Sequence, residues 1–190
     1  MKKEFRKKVI NNRKNITQNL LSKNSSIITE KLLSLECIRN AHTIMLYLDF
    51  NNEVQTNKLI KKLLYLNKIV VSPVTITDKK ELIPYKITNL EEGLVIGAYG
   101  IREPKKDISN KINPKDIDIV IVPAVAFDKQ CYRLGYGGGF YDRFIKTLRK
   151  DCITIGIAFD LQIFDSIPKA PHDAQLDYII TEKRILTSSK

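Results

Sequence analysis

Short apolar runs of strand length alternate with amphipathic stretches along this chain, and this alternation constrains the fold more than any other feature. The runs lie at residues 43–48, 68–71, 117–122, 153–158 and 178–181. Between them, apolar residues recur every three or four positions, which is the spacing of one helix face. Strands that are apolar on both faces are typical of a parallel sheet covered by helices on both sides. We therefore predict an α/β protein in which a mainly parallel sheet lies between two helical layers.

The same periodicity predicts helices over residues 2–12, 16–35 and 56–66. A chain of 190 residues with 43% hydrophobic content is long enough to bury a sizeable core. No internal repeat and no low-complexity linker divides the sequence. We therefore predict a three-layer α/β/α arrangement in a single domain that spans residues 1–190.

Proline and glycine residues predict where some regular segments end. The strand that begins at Lys68 is expected to end before Pro73, because proline cannot donate a hydrogen bond to a sheet. A further strand is predicted over residues 82–87. The stretch 93–111 is rich in glycine, and we predict that it is a long loop.

One motif, residues 133–143, points to a function. It reads Arg-Leu-Gly-Tyr-Gly-Gly-Gly-Phe-Tyr-Asp-Arg and lies between the 117–122 strand and a predicted helix that begins near Phe140. Its glycine loop, residues 135–139, contains consecutive glycines, which allow a backbone to adopt positive φ angles and to lie against a ligand with no Cβ atom in between. Backbone N–H groups and a helix N-terminus then face the same point, which is a common arrangement for binding phosphate.

The charged residues around these glycines favour a nucleotide site over a plain turn. The residue after the last glycine is Phe140, whereas a Walker loop has lysine at that position and a dinucleotide-binding loop has its third glycine there. A glycine run alone is compatible with a tight turn. A plain turn does not require the guanidiniums of Arg133 and Arg143 or the carboxylate of Asp142, whereas a site for a nucleotide with its magnesium ion does.

Three smaller groups of polar residues could contribute to such a site. Lys2, Lys3 and Arg6 form a cation cluster on one predicted helix face, although terminal charge runs are commonly only solvated. Glu53 follows a strand end and could face a ligand or act as a first-turn helix acid. Asp173 lies in a proline-bounded turn, where it could bind a metal ion or form an Asx turn.

Net charge and cysteine content limit the partners. The chain has 32 lysines and arginines against 21 aspartates and glutamates, and this net charge of +11 favours anionic partners unless it is compositional background. Three cysteines without a Cys-x-x-Cys spacing, with two histidines, give no zinc motif. The sequence shows no signal peptide and no apolar run of membrane-spanning length. We expect a cytoplasmic protein with no membrane partner.

The glycine motif resembles the signature loop of the 5-formyltetrahydrofolate cyclo-ligase family, whose members are also called methenyltetrahydrofolate synthetases. The chain matches four further motifs of that family in the same order: Lys2 with Arg6, Glu53 with Thr56, residues 100–104, and residues 171–173 with Asp177. The resemblance spans nearly the whole chain and is loose only between about residues 74 and 99. One departure is that some members carry Arg and Lys where this chain has Tyr136 and Gly138.

The resemblance implies an ATP- and Mg²⁺-dependent ligase that converts 5-formyltetrahydrofolate to 5,10-methenyltetrahydrofolate and releases ADP and phosphate. The reaction is expected to pass through an iminium phosphate at N5 of the folate. The implied fold is a three-layer α/β/α domain similar to ribose-5-phosphate isomerase and CoA-transferase domains. The implied partners are ATP and 5-formyltetrahydrofolate, including its polyglutamylated forms, and we expect a monomer.

The resemblance also implies roles for individual residues. ATP would be bound by Lys2, Lys3, Glu4, Phe5, Arg6, Arg133, Leu134, Gly135, Tyr136, Gly137, Gly138, Gly139, Phe140 and Tyr141. The folate would contact Leu48, Glu53, Tyr136, Gly137, Gly138, Gly139 and Phe140, and Mg²⁺ would be approached by Asp142 and Asp173. Catalytic roles would fall on Arg6, Arg133 and Tyr136. Since two basic loop residues of other members are missing, the phosphoryl group would be neutralised by Lys2 or Lys3, Arg6, Arg133 and the metal.

Two functions from other classes remain open at this stage. A nucleic-acid-binding module would explain the net charge and the basic N-terminal segment, but the glycine loop would then have no role and no nucleic-acid motif accompanies the charge. A sugar-phosphate isomerase on the same fold would leave the N-terminal cations unused and would turn over without ATP. We therefore expect no nucleic-acid partner.

Overall fold

The computed structural model describes residues 2–170 and 173–189, so Pro171 and His172 of the Pro-His-Asp motif lie outside the described residues. The helices are α1 (Lys2–Lys14), α2 (Gln18–Ser34), α3 (Glu36–Asn40), α4 (Asn57–Tyr65) and α5 (Phe140–Ile145). The strands are β1 (Thr43–Met45), β2 (Ile69–Ile76), β3 (Glu81–Lys86), β4 (Leu94–Ile96), β5 (Arg102–Pro104), β6 (Ile119–Val122), β7 (Ala126–Asp128), β8 (Arg133–Leu134), β9 (Ile153–Ile157), β10 (Ile163–Phe164), β11 (Tyr178–Ile180) and β12 (Ile185–Thr187).

Seven of these strands form the central sheet, in the order β12-β11-β9-β6-β1-β2-β3. The five inner strands run parallel to one another, and the two edge strands pair antiparallel with their neighbours. In the middle of the sheet, Ile44 of β1 pairs with Val70 of β2 on one side and with Ile119 of β6 on the other. The predicted mainly parallel sheet is confirmed.

Successive side chains of each strand point to opposite faces of the sheet, and each face has its own apolar core. On one face, Ile44 belongs to a core cluster with Leu32 of α2 and Leu63 of α4. On the other face, Met45 belongs to a second cluster with Phe144 of α5. All five side chains are at most 4% exposed. Helices therefore cover both faces, and the predicted α/β fold is confirmed.

The prediction that a strand ends before Pro73 was wrong, because β2 continues through this residue to Ile76. Pro73 lies directly opposite Pro84 of the antiparallel strand β3. Opposed residues in such a ladder alternate between hydrogen-bonded and non-hydrogen-bonded pairs, and two prolines fit the second kind without losing a bond. On the other side, β1 pairs with β2 only as far as Val71, so the ring of Pro73 interrupts no ladder there.

Two further boundaries were predicted wrongly because short strands lie beside the central sheet. β7 and β8 form a hairpin between β6 and the glycine loop, and β10 pairs with β7. The loop therefore follows Leu134 of β8 and does not follow the 117–122 strand directly. The stretch 93–111 is also not a loop throughout, because β4 and β5 pair antiparallel within it.

Gly156 marks a close contact between the central sheet and the β7–β8 hairpin. A Cβ atom at this position in β9 would lie 2.5 Å from the Phe127 ring and 3.1 Å from the Leu176 side chain, and both are fully buried. We expect Gly156→Ala to lower the free energy of unfolding by about 1–3 kcal/mol through overpacking. Urea denaturation measures this change, and adding Phe127→Leu should restore part of the loss. An unchanged urea midpoint for Gly156→Ala would contradict the close contact.

Candidate active site

A cleft of about 550 Å³ opens where the glycine loop meets the carboxyl ends of β1, β2 and β6. Ligands of open α/β sheets bind at this edge. The cleft is lined by most of the predicted site residues: Lys2, Arg6, Leu48, Glu53, Arg133, Leu134, Gly135, Tyr136, Gly137, Gly138, Gly139, Phe140, Tyr141, Asp142 and Asp173. The structure thus brings together residues that lie up to 171 positions apart in the chain.

Three residues predicted to bind ATP do not line the cleft. Lys2 and Arg6 are four positions apart and therefore share the face of α1 that borders the cleft. Lys3 and Glu4 are exposed on other sides of the helix. Phe5 packs its ring against Phe164 of β10, with 4.9 Å between the ring centroids. Of the three cations predicted to share one helix face, Lys2 and Arg6 line the cleft and Lys3 does not.

The glycine loop is shaped by backbone conformations that other residues adopt rarely, and two arginines hold it. Gly137 has a φ of 110° and Gly139 has a φ of 65°, both in the region that favours glycine. Arg6 of α1 donates from Nε to the carbonyl oxygen of Gly135 at 2.7 Å. Arg143 of α5 donates from Nη2 to the carbonyl oxygen of Gly138 at 2.6 Å. The loop backbone is therefore tied at both ends.

One end of the cleft is built from alternating charges. Arg133 is 4% exposed, and its Nη2 donates to Oδ1 of Asp142 at 2.7 Å. Burial lowers the pKa of the Arg133 guanidinium, and the Asp142 carboxylate opposes that shift. Lys2 Nζ lies 3.0 Å from Oδ2 of Asp173. Two donors of this end, Arg133 Nε and the Tyr141 hydroxyl, are buried without a hydrogen-bond partner in the part of the chain that the structure describes. An anionic ligand with several oxygen atoms fits such a surface.

Asp142 and Asp173 are the carboxylates that could hold a metal ion at this end. Both line the cleft, and their side chains are 18% and 11% exposed. Residues 2–170 and 173–189 contain no group of three or more His, Cys, Asp or Glu side chains arranged to hold a metal. Mg²⁺ commonly binds one or two carboxylates together with phosphate oxygens and water. The two aspartates therefore fit a magnesium ion that arrives with a nucleotide.

Glu53 and Tyr136 form the polar part of the other end of the cleft. The Tyr136 hydroxyl donates to Oε1 of Glu53 at 2.5 Å, and the backbone N–H of Phe50 donates to Oε2 at 3.1 Å. Burial raises the pKa of the Glu53 carboxyl, while the hydrogen bond from Tyr136 and the charge of Arg13 lower it. Burial also raises the pKa of the Tyr136 hydroxyl, which stays protonated. Leu48 supplies apolar surface beside them.

The β4–β5 hairpin forms a wall of the cleft that the sequence did not predict. Its residues Tyr99, Ile101, Arg102 and Glu103 line the cleft. Tyr99 has a φ of 59° and places its ring edge-on to that of Phe140 at the start of α5, with 6.4 Å between the ring centroids. Glu103 is buried and accepts a hydrogen bond from the backbone N–H of Thr75 at 2.9 Å. The family motif at residues 100–104 indicated that this segment matters, but it did not predict that the segment lies beside the cleft.

Arg13 is a second residue that the sequence gave no reason to select. It occupies the last turn of α1, is 1% exposed, and donates from Nη2 to the Tyr136 hydroxyl at 2.8 Å. The guanidinium carbon also lies 5.8 Å from the centroid of the Tyr136 ring. In the sequence Arg13 is one of many basic residues in a charged segment, so only the packing of α1 distinguishes it.

The glycine loop lies beside three cations and two carboxylates at the carboxyl edge of a parallel sheet. These features define an α/β protein with a site for an anionic ligand next to an apolar cleft. The model of the 5-formyltetrahydrofolate cyclo-ligase family matches residues 1–182, and the chain belongs to this ligase family. The recognised resemblance is thereby confirmed. No helix among the described residues is long and apolar enough to cross a membrane.

Individual relatives agree with this assignment. The 5-formyltetrahydrofolate cyclo-ligase of Haemophilus influenzae is 35% identical over 150 residues, which cover 78% of this chain and 80% of the relative. The enzyme of the same name from Escherichia coli K12 is 33% identical over 153 residues, which cover 76% of this chain and 80% of the relative. The solved 5,10-methenyltetrahydrofolate synthetase of Aquifex aeolicus superposes with a TM-score of 0.87 at 31% identity, covering 100% of this chain and 93% of that one. The solved 5,10-methenyltetrahydrofolate synthetase of Mycoplasma pneumoniae superposes with a TM-score of 0.78 at 29% identity, covering 95% of this chain and 98% of that one.

Proposed function

We propose that this protein converts 5-formyltetrahydrofolate to 5,10-methenyltetrahydrofolate and uses ATP, which becomes ADP and phosphate. The observation that carries the proposal is the division of one cleft into two chemically different ends. The end at Arg133 and Asp142 is charged and borders the glycine loop, and the end at Leu48 and Glu53 is apolar with one carboxylate. A triphosphate and a folate ring system need these two environments side by side.

The chemistry explains why both substrates must meet in one cleft. The formyl oxygen is a poor leaving group, so it first attacks the γ-phosphorus of ATP, and ADP leaves. N10 of the folate then attacks the formyl carbon of the resulting iminium phosphate, loses its proton, and the carbon–oxygen bond breaks to release phosphate. Phosphoryl transfer of this kind depends on positioning and on neutralising charge more than on a protein nucleophile.

The charged end of the cleft would position ATP and stabilise its transferring phosphoryl group. Lys2, Arg6 and Arg133 direct cationic groups toward it, and the buried Arg133 Nε can donate to a phosphate oxygen. Asp142 and Asp173 would hold Mg²⁺, which supplies charge neutralisation on the phosphate oxygens when it is bound. The Arg6 bond to the Gly135 carbonyl keeps the loop backbone in place for its N–H groups to bind phosphate.

The other end would bind the pterin and the formyl group. Leu48 is 3% exposed, and it lines the cleft together with Phe140, so both present apolar surface there. Glu53 provides the carboxylate that can accept hydrogen bonds from the N–H groups of a pterin. Tyr136 links this carboxylate to the loop, so that the folate and the phosphate donor are held by the same segment.

The direct test is incubation with 5-formyltetrahydrofolate, Mg²⁺ and ATP while methenyl absorbance and ADP are followed together. We expect one ADP for each methenyltetrahydrofolate formed, and no product when ATP or Mg²⁺ is left out. Formation of the chromophore without ADP, or of neither, would contradict the proposal. We propose further that the protein acts as a monomer without a nucleic-acid partner, which sedimentation in the presence and absence of RNA tests.

Positive charge should favour folates with polyglutamate tails. The chain has a net charge of +11, and Arg102 adds a guanidinium at the wall of the cleft. Attraction between such charges extends over the Debye length, about 8 Å at physiological ionic strength. We expect a lower KM for polyglutamylated 5-formyltetrahydrofolate than for the monoglutamate, and added salt should narrow the difference. Equal KM values at low salt would mean that the charge is compositional background.

A further inference from the structure

Arg13 is a fully buried cation that lies outside the lining of the cleft but bonds to a residue within it. Its side chain leaves the last turn of α1, and the residue is 1% exposed. Its Nη2 donates to the Tyr136 hydroxyl at 2.8 Å. A buried guanidinium is unfavourable unless it meets hydrogen-bond acceptors or negative charge. The burial of Arg13 therefore calls for an explanation, and the groups around the Tyr136 hydroxyl provide one.

The Tyr136 hydroxyl joins Arg13 to Glu53. It accepts from Arg13 and at the same time donates to Oε1 of Glu53, and the second carboxylate oxygen accepts from the Phe50 backbone N–H. This chain of hydrogen bonds connects three segments: the end of α1, the glycine loop and the segment after β1. The Tyr136 hydroxyl is therefore the hydrogen-bonded link between Arg13 and the Glu53 carboxylate.

Arg13 is also the cation that favours the charged form of Glu53. Burial disfavours the carboxylate, and the nearby Asp49 does so as well. Tyr136 favours it by its hydrogen bond, and Arg13 favours it by its charge. Two further titratable groups, the Tyr47 and Tyr141 hydroxyls, also interact with Glu53, and burial raises the pKa of both so that they stay neutral. Without Arg13, burial and Asp49 would still disfavour ionisation of the Glu53 carboxyl, and the hydrogen bond from Tyr136 would be the main interaction that favours it.

We propose that Arg13 is a positioning residue for the folate end of the cleft: it holds the Tyr136 hydroxyl and thereby keeps Glu53 in place as a carboxylate that faces the substrate. The inference rests on the proposed function in that the ligand of Glu53 is taken to be the folate. Arg13 itself does not touch the substrate. Its loss should weaken folate binding and leave the ATP end of the cleft largely unchanged.

The test compares Arg13→Met and Arg13→Lys with the parent and with Arg149→Met. Arg149 is a matched control, because it forms an ion pair with Asp118 and does not line the cleft. We expect Arg13→Met to raise the KM for 5-formyltetrahydrofolate about tenfold, the loss of one charge-assisted interaction, and to leave the KM for ATP within about twofold. Arg13→Lys should recover much of the loss, and Arg149→Met should match the parent.

The pH profile separates positioning from a general structural role. Removing a nearby cation raises the pKa of a carboxyl group, so the acid limb of kcat/KM for the folate should move to higher pH in Arg13→Met. Tyr136→Phe provides a second route to the same result if Arg13→Met folds poorly, because it leaves the buried cation in place and removes the linking hydroxyl. The effects of the two substitutions on the folate KM should be strongly non-additive when combined.

The outcomes distinguish this inference from the proposed function. Binding of 5-formyltetrahydrofolate without ATP is measured by calorimetry for the parent and each variant. A parent that binds the folate but does not convert it would contradict the proposed function alone, while the variant affinities still test Arg13. An active parent whose Arg13→Met and Tyr136→Phe variants keep its folate KM and pH profile would overturn the role of Arg13. Equal changes in both KM values would also overturn it, and a parent that binds no folate would overturn both.

Discussion

Replacing Arg133 by methionine is expected to lower kcat by about 100- to 1,000-fold, the effect of losing one preorganised donor to a developing negative charge. Arg133 is buried, lines the cleft beside the glycine loop, and carries an Nε atom with no hydrogen-bond partner among the described residues. The substitution also leaves the Asp142 carboxylate without its guanidinium partner, so the free energy of unfolding should fall by about 3 kcal/mol. Methenyl absorbance measures the first change and urea denaturation the second.

Arg143→Met is the control for this prediction. Arg143 also bonds to the glycine loop, through the Gly138 carbonyl, but it lies outside the cleft lining. Its replacement should lower kcat by less than about tenfold, the scale of one exposed hydrogen bond to a charged group. The prediction fails if Arg133→Met retains the kcat of the parent, or if Arg143→Met loses as much activity as Arg133→Met.

Asp142→Asn is expected to lower kcat by about 100-fold or more and to raise the Mg²⁺ concentration needed for half-maximal activity. The substitution keeps the size of the side chain and removes the negative charge that a metal ion requires. Asp142 lies in the first turn of α5 and lines the charged end of the cleft. A magnesium titration of kcat at saturating ATP gives both numbers.

Asp151→Asn serves as the comparison for Asp142. Asp151 is also an acid paired with an arginine, but its side chain is 77% exposed and does not line the cleft. Its replacement should leave the magnesium dependence unchanged. If Asp142→Asn matches the parent at limiting Mg²⁺, the role of Asp142 is confined to the ion pair with Arg133.

The central sheet could be predicted because its strands are apolar on both faces. Runs such as Ile119–Val122 contain four consecutive buried residues, and this pattern is typical of inner parallel strands. The glycine loop could be predicted because three adjacent glycines beside charged residues have few structural uses. Lys2 and Arg6 could be placed together because a helical turn brings residues four apart onto one face. Each of these predictions depends on residues that are close in the sequence.

The features that could not be predicted depend on contacts between distant segments. Pro73 was taken as the end of a strand because the sequence does not show that Pro84 lies opposite it. The β4–β5 hairpin was taken as a loop because its short strands have little apolar alternation, and Val95 and Ile96 are exposed. The sequence does not distinguish Arg13 from its basic neighbours, because the contact with Tyr136 depends on how α1 packs in the folded protein. Tertiary packing decides these positions, and local propensity does not.

The docking of α1 has a consequence for how the protein is made. Lys2, Arg6 and Arg13 bond to residues that follow them by 171, 129 and 123 positions. During translation, this helix leaves the ribosome long before the segments that receive it. Bringing such distant segments together carries the entropy of closing very long loops, so contacts of this kind tend to form late in folding. The earliest part of the described chain to be synthesised would then be among the last to reach its place, and the cleft would become complete only when α1 settles against the glycine loop.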